Sequence, residues 1–303
     1  MNTAPILLFT YLRLDVLKQA VNALKNNELA SQSDLFILSD AAKHEKDEPI
    51  VREIRSYIRQ IEGFKSITIS EAPINKGLAN SIIDGVSGII KKYGQVIVLE
   101  DDLITTPNFL LFMNQALVHF KNQKEIFSIS GYNYDFKVPQ GFKYDNYCVT
   151  RGCSWGWATW EDRWGVINWD INTFAGMNNK DFRKSFNYSG SDLCSMLIKQ
   201  KNKEIDSWAI RWYYNQWEQS KLTVYPVRSL VNNEGFDEYA THTHVYDRYK
   251  STLMPADKIN FNLGGSGKPD PYYQRQIRRK FSVITRIIWG RAMTFLKNVN
   301  ILK

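Results

Sequence analysis

Apolar and polar positions alternate between two periods over the first 130 residues. Ile6–Tyr11 is a short apolar run that predicts a strand, and Val16, Leu17, Ala20, Val21 and Leu24 then recur at helical spacing. Leu35–Ser39 and Ser66–Ser70 predict two further strands, with a helix between them over Glu48–Glu62. Across Gly77–Tyr93, the residues Leu78, Ile82, Val86 and Ile89/Ile90 share one helical face. Gln95–Leu99 follows as a nearly unbroken Val/Ile/Leu run, the pattern of a strand covered on both faces. Pro107 opens a helix to about Asn122, and Ile126–Ser130 is one more strand. Strand and helix in alternation predict βαβ units, hence an α/β fold with a Rossmann-like, mostly parallel central sheet flanked by helices.

From about Asp135 the alternation fades and tryptophans crowd in at Trp155, Trp157, Trp160, Trp164 and Trp169, then at Trp208, Trp212 and Trp217. Most residues at such a density belong to a core, although tryptophans also stack on sugar rings. A turn-rich stretch, Gly264 to Pro269, precedes the C-terminal region. No internal repeat interrupts this order, so three regions are expected: 1–134, 135–265 and 266–303.

Charge changes the picture at one end only. The 303 residues carry 39 Lys+Arg against 31 Asp+Glu, a net charge of +8. Residues 268–303 hold nine of those basic residues and the single acid Asp270, so residues 1–267 carry 30 of each sign. A pI near 9.2 therefore describes a neutral body with a basic tail. Within that tail Ile277, Phe281, Ile284, Ile288 and Phe295 form a helical stripe opposite Arg275, Arg279, Arg286 and Lys297. Such an amphipathic helix over 276–303 suits an anionic membrane surface; a helix docked on the body with a basic outer face is the alternative. Nucleic-acid binding is disfavoured by the neutral body and the lack of a reader motif. Three cysteines without CxxC spacing argue against a disulfide scaffold and a zinc ribbon, and Cys148 and Cys153 read as inert buried thiols. No basic leader and no window of about 18 apolar residues is seen, so a cytoplasmic protein, peripheral on the inner membrane face, is expected.

Candidate chemistry concentrates at Glu100-Asp101-Asp102, directly after the buried-strand pattern Val96–Leu99. In open α/β sheets ligands bind beyond the carboxyl ends of the strands. Three adjacent carboxylates repel one another unless a cation or hydrogen-bond donors sit among them. Hard oxygen ligands in that position suit Mg²⁺ or Mn²⁺ bridging a diphosphate; a solvated acidic turn capping the next helix is the plain alternative.

Four segments together resemble the N-acetylglucosaminyltransferase I family and its bacterial relatives, nucleotide-sugar transferases of the GT-A fold. These are Pro5–Arg13, Ile37–Asp40, Val96–Leu103, and Ser154–Trp157 followed by Ile205–Trp208, and they span about four-fifths of the chain. The resemblance implies a nucleotide-sugar-binding half over 1–134 and an acceptor half over 135–265. It implies Asp102 as the direct metal ligand, and Glu100 and Asp101 as partners of ribose and donor-sugar hydroxyls. Asp40 would meet the base of the nucleotide, while Thr10 and Arg13 would face the nucleotide or its phosphates. Asn75 and Lys76, with Gly77, open the helix before the metal strand, where free N–H groups can face the donor. Trp155, Gly156, Trp157 and Trp208 would form the acceptor side, and Asp206 would be the catalytic base. Ser207 stands where the animal enzymes carry a second acid.

The residues themselves leave several points open. Asp206 lies in a Trp-rich setting that could raise its pKa, or it caps a helix beginning at Ser207-Trp208; Glu204, Glu234 and Asp237 are other candidate bases. His242 could approach the metal from the C-terminal side or be an idle loop histidine. The function implied is metal-dependent, inverting transfer of GlcNAc or a related sugar from a UDP-sugar to a glycan, lipid-linked in bacterial surface-polysaccharide assembly. The alternative is a non-catalytic glycan- or nucleotide-binding module with a Trp-rich recognition surface.

Overall fold

The computed structural model describes residues 3–174, 176–177, 179–235, 249, 251–265 and 267–283. In chain order its elements begin β1 (Ile6–Thr10), α1 (Leu14–Lys25), β2 (Asp34–Ser39), α2 (Glu48–Ile58) and β3 (Ser66–Glu71). They continue with α3 (Gly77–Tyr93), β4 (Gln95–Glu100), β5 (Leu103–Thr105), α4 (Phe109–Phe120) and β6 (Ile126–Ser130). Next come β7 (Asn146–Val149), β8 (Trp157–Trp160), α5 (Glu161–Trp164), α6 (Lys180–Phe186) and α7 (Leu193–Lys201). The chain then forms α8 (Trp208–Glu218), β9 (Leu222–Pro226), β10 (Val231–Asn233) and α9 (Pro271–Lys280).

Eight strands make one sheet in the order β3-β2-β1-β4-β8-β6-β9-β7, and β10 pairs with β5 in a second, two-stranded sheet. The block β3-β2-β1-β4 is wholly parallel, as is β6 with β9; β8 and β7 run against their neighbours. The expected α/β architecture with a mostly parallel sheet is therefore present. Its least periodic stretch supplies the antiparallel strands. In β7 and β8 all four residues are buried, so neither shows the in-out alternation that marks a half-exposed strand.

Each face of the sheet has its own core. On one face Ile6, Leu8, Ile97 and Leu99 pack with α1, α2 and α4. On the other, Leu7, Phe9, Val96 and Val98 meet Ile82 and Val86 of α3 and the tryptophans Trp157, Trp164, Trp208 and Trp212. Those indoles touch one another, Trp157 lying 4.4 Å from Trp212 and 5.2 Å from Trp208. Much of the tryptophan density is thus packing.

The C-terminal region enters the body. Asp270 caps α9 by accepting from the Tyr272 and Tyr273 N–H groups. Tyr273 stacks on Tyr147 at 3.7 Å, and the Arg151 guanidinium lies 3.4 Å from the Phe281 ring centroid. Ile277 and Phe281 are buried, so two members of the predicted membrane-facing stripe face the protein core instead. Burying an apolar side chain against a ready-made aromatic wall outweighs leaving it for a surface. Ile284, Ile288 and Phe295 lie outside the described residues. Among the described residues no helix is long and apolar enough to cross a membrane.

Ile277→Ala is expected to lower unfolding free energy by about 2–4 kcal/mol in denaturant titrations, as for other buried isoleucines. Arg275→Ala, on the exposed face of α9, should change it by about 0.5 kcal/mol or less. Equal, small effects would show that α9 is not docked.

Candidate functional site

Four fully buried residues, Val96–Leu99, hold β4 inside the sheet and deliver Glu100, Asp101 and Asp102 at its carboxyl end. Phe9 pairs with Glu100 across β1, so the β1 exit, Thr10 to Arg13, lies directly alongside. Arg13 Nη2 donates to Asp102 Oδ2 at 2.5 Å and to Asp101 Oδ1 at 3.4 Å. The Tyr11 N–H donates to Asp101 Oδ2 at 3.1 Å. The Thr10 hydroxyl, buried beside Asp101, makes no well-formed hydrogen bond.

Electrostatics here follow from crowding. Burial first, then the charges of Asp102 and Asp101, push the Glu100 carboxyl up to about 8, with Arg13 opposing. Burial also raises Asp101, against Arg13 and the Tyr11 N–H. Among the described residues one guanidinium thus answers three carboxylates, and negative charge outweighs the donors that neutralise it.

A second segment closes over Asp102. Antiparallel pairing of β5 with β10 sets Leu103 opposite Asn233. The Glu234 N–H then donates to the Asp102 carbonyl at 2.9 Å. At Gly235 a β-carbon would fall on the Asp102 carboxylate and within 3.0 Å of Arg13 Nη1, so the close approach requires glycine. Gly235 was not singled out by sequence; its only signal was its place in the Asn-rich turn after Val231. His242 and Asp237 lie outside the described residues.

The other expected donor-side residues make a junction of their own. Asp40 Oδ1 accepts from the Ala41 and Lys76 N–H groups, each at 2.9 Å, and Oδ2 from the Gly77 N–H at 3.0 Å. Asn75 Nδ2 donates to the Ala41 carbonyl at 2.7 Å, and Lys76 Nζ pairs with Asp84 at 2.8 Å. The N–H groups that open α3 are therefore bonded to Asp40 across the β2 exit.

On the far side of β4, the antiparallel β8 brings its amino end to the acidic cluster. Gly156, at φ +58°, makes the turn that allows it, with its would-be β-carbon in contact with Leu99, Phe109 and Val231. Trp155 is partly buried against Tyr132 at 4.6 Å and Tyr249 at 5.2 Å, whereas Trp157 and Trp208 are buried in the tryptophan cluster. Trp155 also lines a cavity of about 390 Å³ whose other walls include Tyr134, Trp212, Tyr213 and the Arg151–Asp192 pair. That pair, 3.0 Å apart, escaped sequence analysis because its members are 41 residues distant in the chain.

Asp206 precedes α8, whose N-cap is Ser207: its hydroxyl accepts from the Ile210 N–H at 3.3 Å. The aromatic surroundings do not enclose Asp206. Its side chain is 65% exposed and faces Arg211 at 3.4 Å, so the expected burial is not found. Glu204 meets Asn202, and Glu234 accepts from Asn232.

Does this donor set fit a divalent cation? Surplus carboxylate charge, an unsatisfied Thr10 hydroxyl and hard oxygens at a strand end are what Mg²⁺ or Mn²⁺ takes. Among the described residues no group of three His, Cys, Asp or Glu side chains is arranged around one cation position. The fit is thus to an ion held by one or two carboxylates, with phosphate and water oxygens completing its shell.

No family model matches the chain, and no curated protein matches it. Among solved structures it is similar to the mannosyltransferase PcManGT from Pyrobaculum calidifontis in complex with GDP-Man and Mn²⁺. The two share 10% identity at a TM-score of 0.31, over 46% of this chain and 37% of that one. It is also similar to S. aureus TarS, with 11% identity and a TM-score of 0.31, over 48% of this chain and 24% of the other. The chain thus spans well under half the length of either.

A carboxyl raised from 4.5 to about 8 on folding stabilises the fold below pH 4.5, and that contribution is lost as pH rises through about 8. In EDTA, melting temperature should therefore fall between pH 5 and pH 9, and Glu100→Gln should flatten that fall. Arg13→Ala should steepen it by removing the charge that opposes the shift of Glu100. Identical pH profiles for all three proteins would show that Glu100 carries no such penalty.

Proposed function

We propose that the chain is a metal-dependent glycosyltransferase of the GT-A type that takes its sugar from a UDP-sugar, UDP-GlcNAc or a relative. The observation that carries this reading is the carboxylate triplet at the end of β4, answered by Arg13 and clasped by Gly235. Asp102 is the residue that would hold the cation, as Mn²⁺ or Mg²⁺. When bound, the cation neutralises the charge that develops on the departing nucleoside diphosphate.

The chain's own residues have the remaining work. Arg13, at the β1 exit, would turn from Asp102 toward the donor phosphates as the surplus negative charge is neutralised. Glu100 and Asp101 would accept hydrogen bonds from ribose and donor-sugar hydroxyls. The Asp40–Asn75–Gly77 junction would set the floor on which the uracil rests. Trp155 would flank the acceptor in the aromatic cavity beside β8. Asp206, exposed at the start of α8, would take the acceptor proton from the side opposite the leaving group, giving inversion. An acceptor glycan carried on a lipid would meet the protein at an anionic membrane face. The basic residues for that contact are those of 284–303, which hold Arg286, Arg291, Lys297 and Lys303 and no acid. Cytoplasmic surface-polysaccharide assembly would be the setting.

Calorimetric titration of a UDP-sugar panel with Mn²⁺ and with EDTA tests the donor half: one donor should bind, and only with metal. Asp102→Asn should abolish that metal-dependent binding. Asp206→Asn should keep donor binding and lower kcat by about 10²-fold, or about 2.7 kcal/mol of barrier. Normal turnover by Asp206→Asn would remove it as the base. Binding of glycan without turnover, unaffected by either substitution, would identify a recognition module.

A further inference from the structure

β9 runs parallel to β6, and both run in the same direction as β4, because β8 opposes β4 and β6 alike. The amino end of β9 therefore lies at the edge of the sheet opposite Glu100. A cavity of about 520 Å³ opens there, between α6, the turn after it and the end of α8. None of the expected site residues belongs to it.

Its walls combine two chemistries. Tyr188 presents a ring that is 45% exposed, with the Arg278 guanidinium of α9 held 4.9 Å from the ring centroid. Trp217 is fixed by its N–H bond to Ser185 at 3.1 Å and by edge contacts with Phe182 and Phe186. The same walls carry Asp181, Lys184 and Ser220, side chains that make no hydrogen bond or ion pair among the described residues. Ser220 also adopts φ +53° just past α8, a position where glycine is the unstrained choice. Ser220 thereby closes α8, and the Lys221 N–H donates to the Gln216 carbonyl at 3.0 Å.

Fixed aromatic faces flanked by an uncommitted acceptor, a donor and a hydroxyl match one ligand chemistry best. A pyranose offers an apolar C–H face to a ring and a rim of hydroxyls that both donate and accept. A lipid tail would strand Asp181 and Lys184 without water, and a small inorganic ion would leave both aromatic faces unused. We propose that this cavity is a second saccharide-binding site, which holds a sugar unit of a glycan chain at the end of the sheet remote from the acidic cluster. It does not depend on catalysis at Asp102 and can stand or fail separately.

The full chain should be titrated calorimetrically, without nucleotide, against cellohexaose, chitohexaose, maltohexaose and hexagalacturonate. At least one should bind, and Tyr188→Ala and Lys184→Ala should each weaken it about tenfold, the worth of one stacked ring or one charged hydrogen bond. Tyr188→Phe, which keeps the ring, and Asp102→Asn should bind like the parent. No binding of any hexasaccharide by the folded protein would overturn the proposal. So would binding that survives Tyr188→Ala and Lys184→Ala, or that is lost in Asp102→Asn, since the sugar would then sit elsewhere.

Discussion

A strand buried on both faces that ends in three carboxylates sets a charge problem for everything around it. Val96–Leu99 cannot leave the sheet centre without exposing two cores, so Glu100, Asp101 and Asp102 emerge wherever β4 ends. Their repulsion is answered from the β1 exit by Arg13 and the Tyr11 N–H, while the β5–β10 ribbon fixes the turn through the Glu234 N–H on the Asp102 backbone carbonyl. Three separate parts of the chain thus converge on one short acidic turn. Among the described residues the carboxylates of this turn still outnumber the charge that answers them.

The antiparallel insertion of β8 is the structural device that brings the Trp-rich part of the chain beside the acidic turn. Had β6 paired directly with β4, the segment that leads into β8 would not stand beside the end of β4. With β8 between them, Trp155 and Gly156 arrive at the same edge as Asp102, while Trp157 is drawn into the tryptophan cluster under α8. That cluster also places Asp206, since Trp208 locks the first turn of α8 onto Trp157. A buried aromatic contact, worth more than surface polar contacts, therefore decides where the proposed base stands.

The sheet has unlike ends. Carboxylates gather at the carboxyl end of β4 beside Arg13 of the β1 exit, and aromatics with mixed polar groups gather at the amino end of β9. The docking of α9 serves the second end, because Arg278 braces Tyr188 while Ile277 and Phe281 are buried beneath. Along α9 the basic, amphipathic pattern thus packs its apolar side on the body and leaves Arg275, Arg278 and Arg279 at the surface.

The strands β1 to β4 and β6 and the helices α1 to α4 were legible because burial imposes a pattern directly: helical faces in α1 and α3, an unbroken apolar run in β4. The acidic triplet was legible for the same reason, as charge placed against such a run is costly unless used. The second half was not, because β7 and β8 are buried on both faces and too short to show a period. Nor could sequence give Gly235 over Asp102, Arg151 beside Asp192, or the capping of α3 by Asp40, which join residues 133, 41 and 36 or 37 positions apart. Local pattern by itself determined the elements and the place where chemistry gathers. Which partners close around that place was decided by tertiary structure alone, because a contact between distant residues leaves no period in either segment.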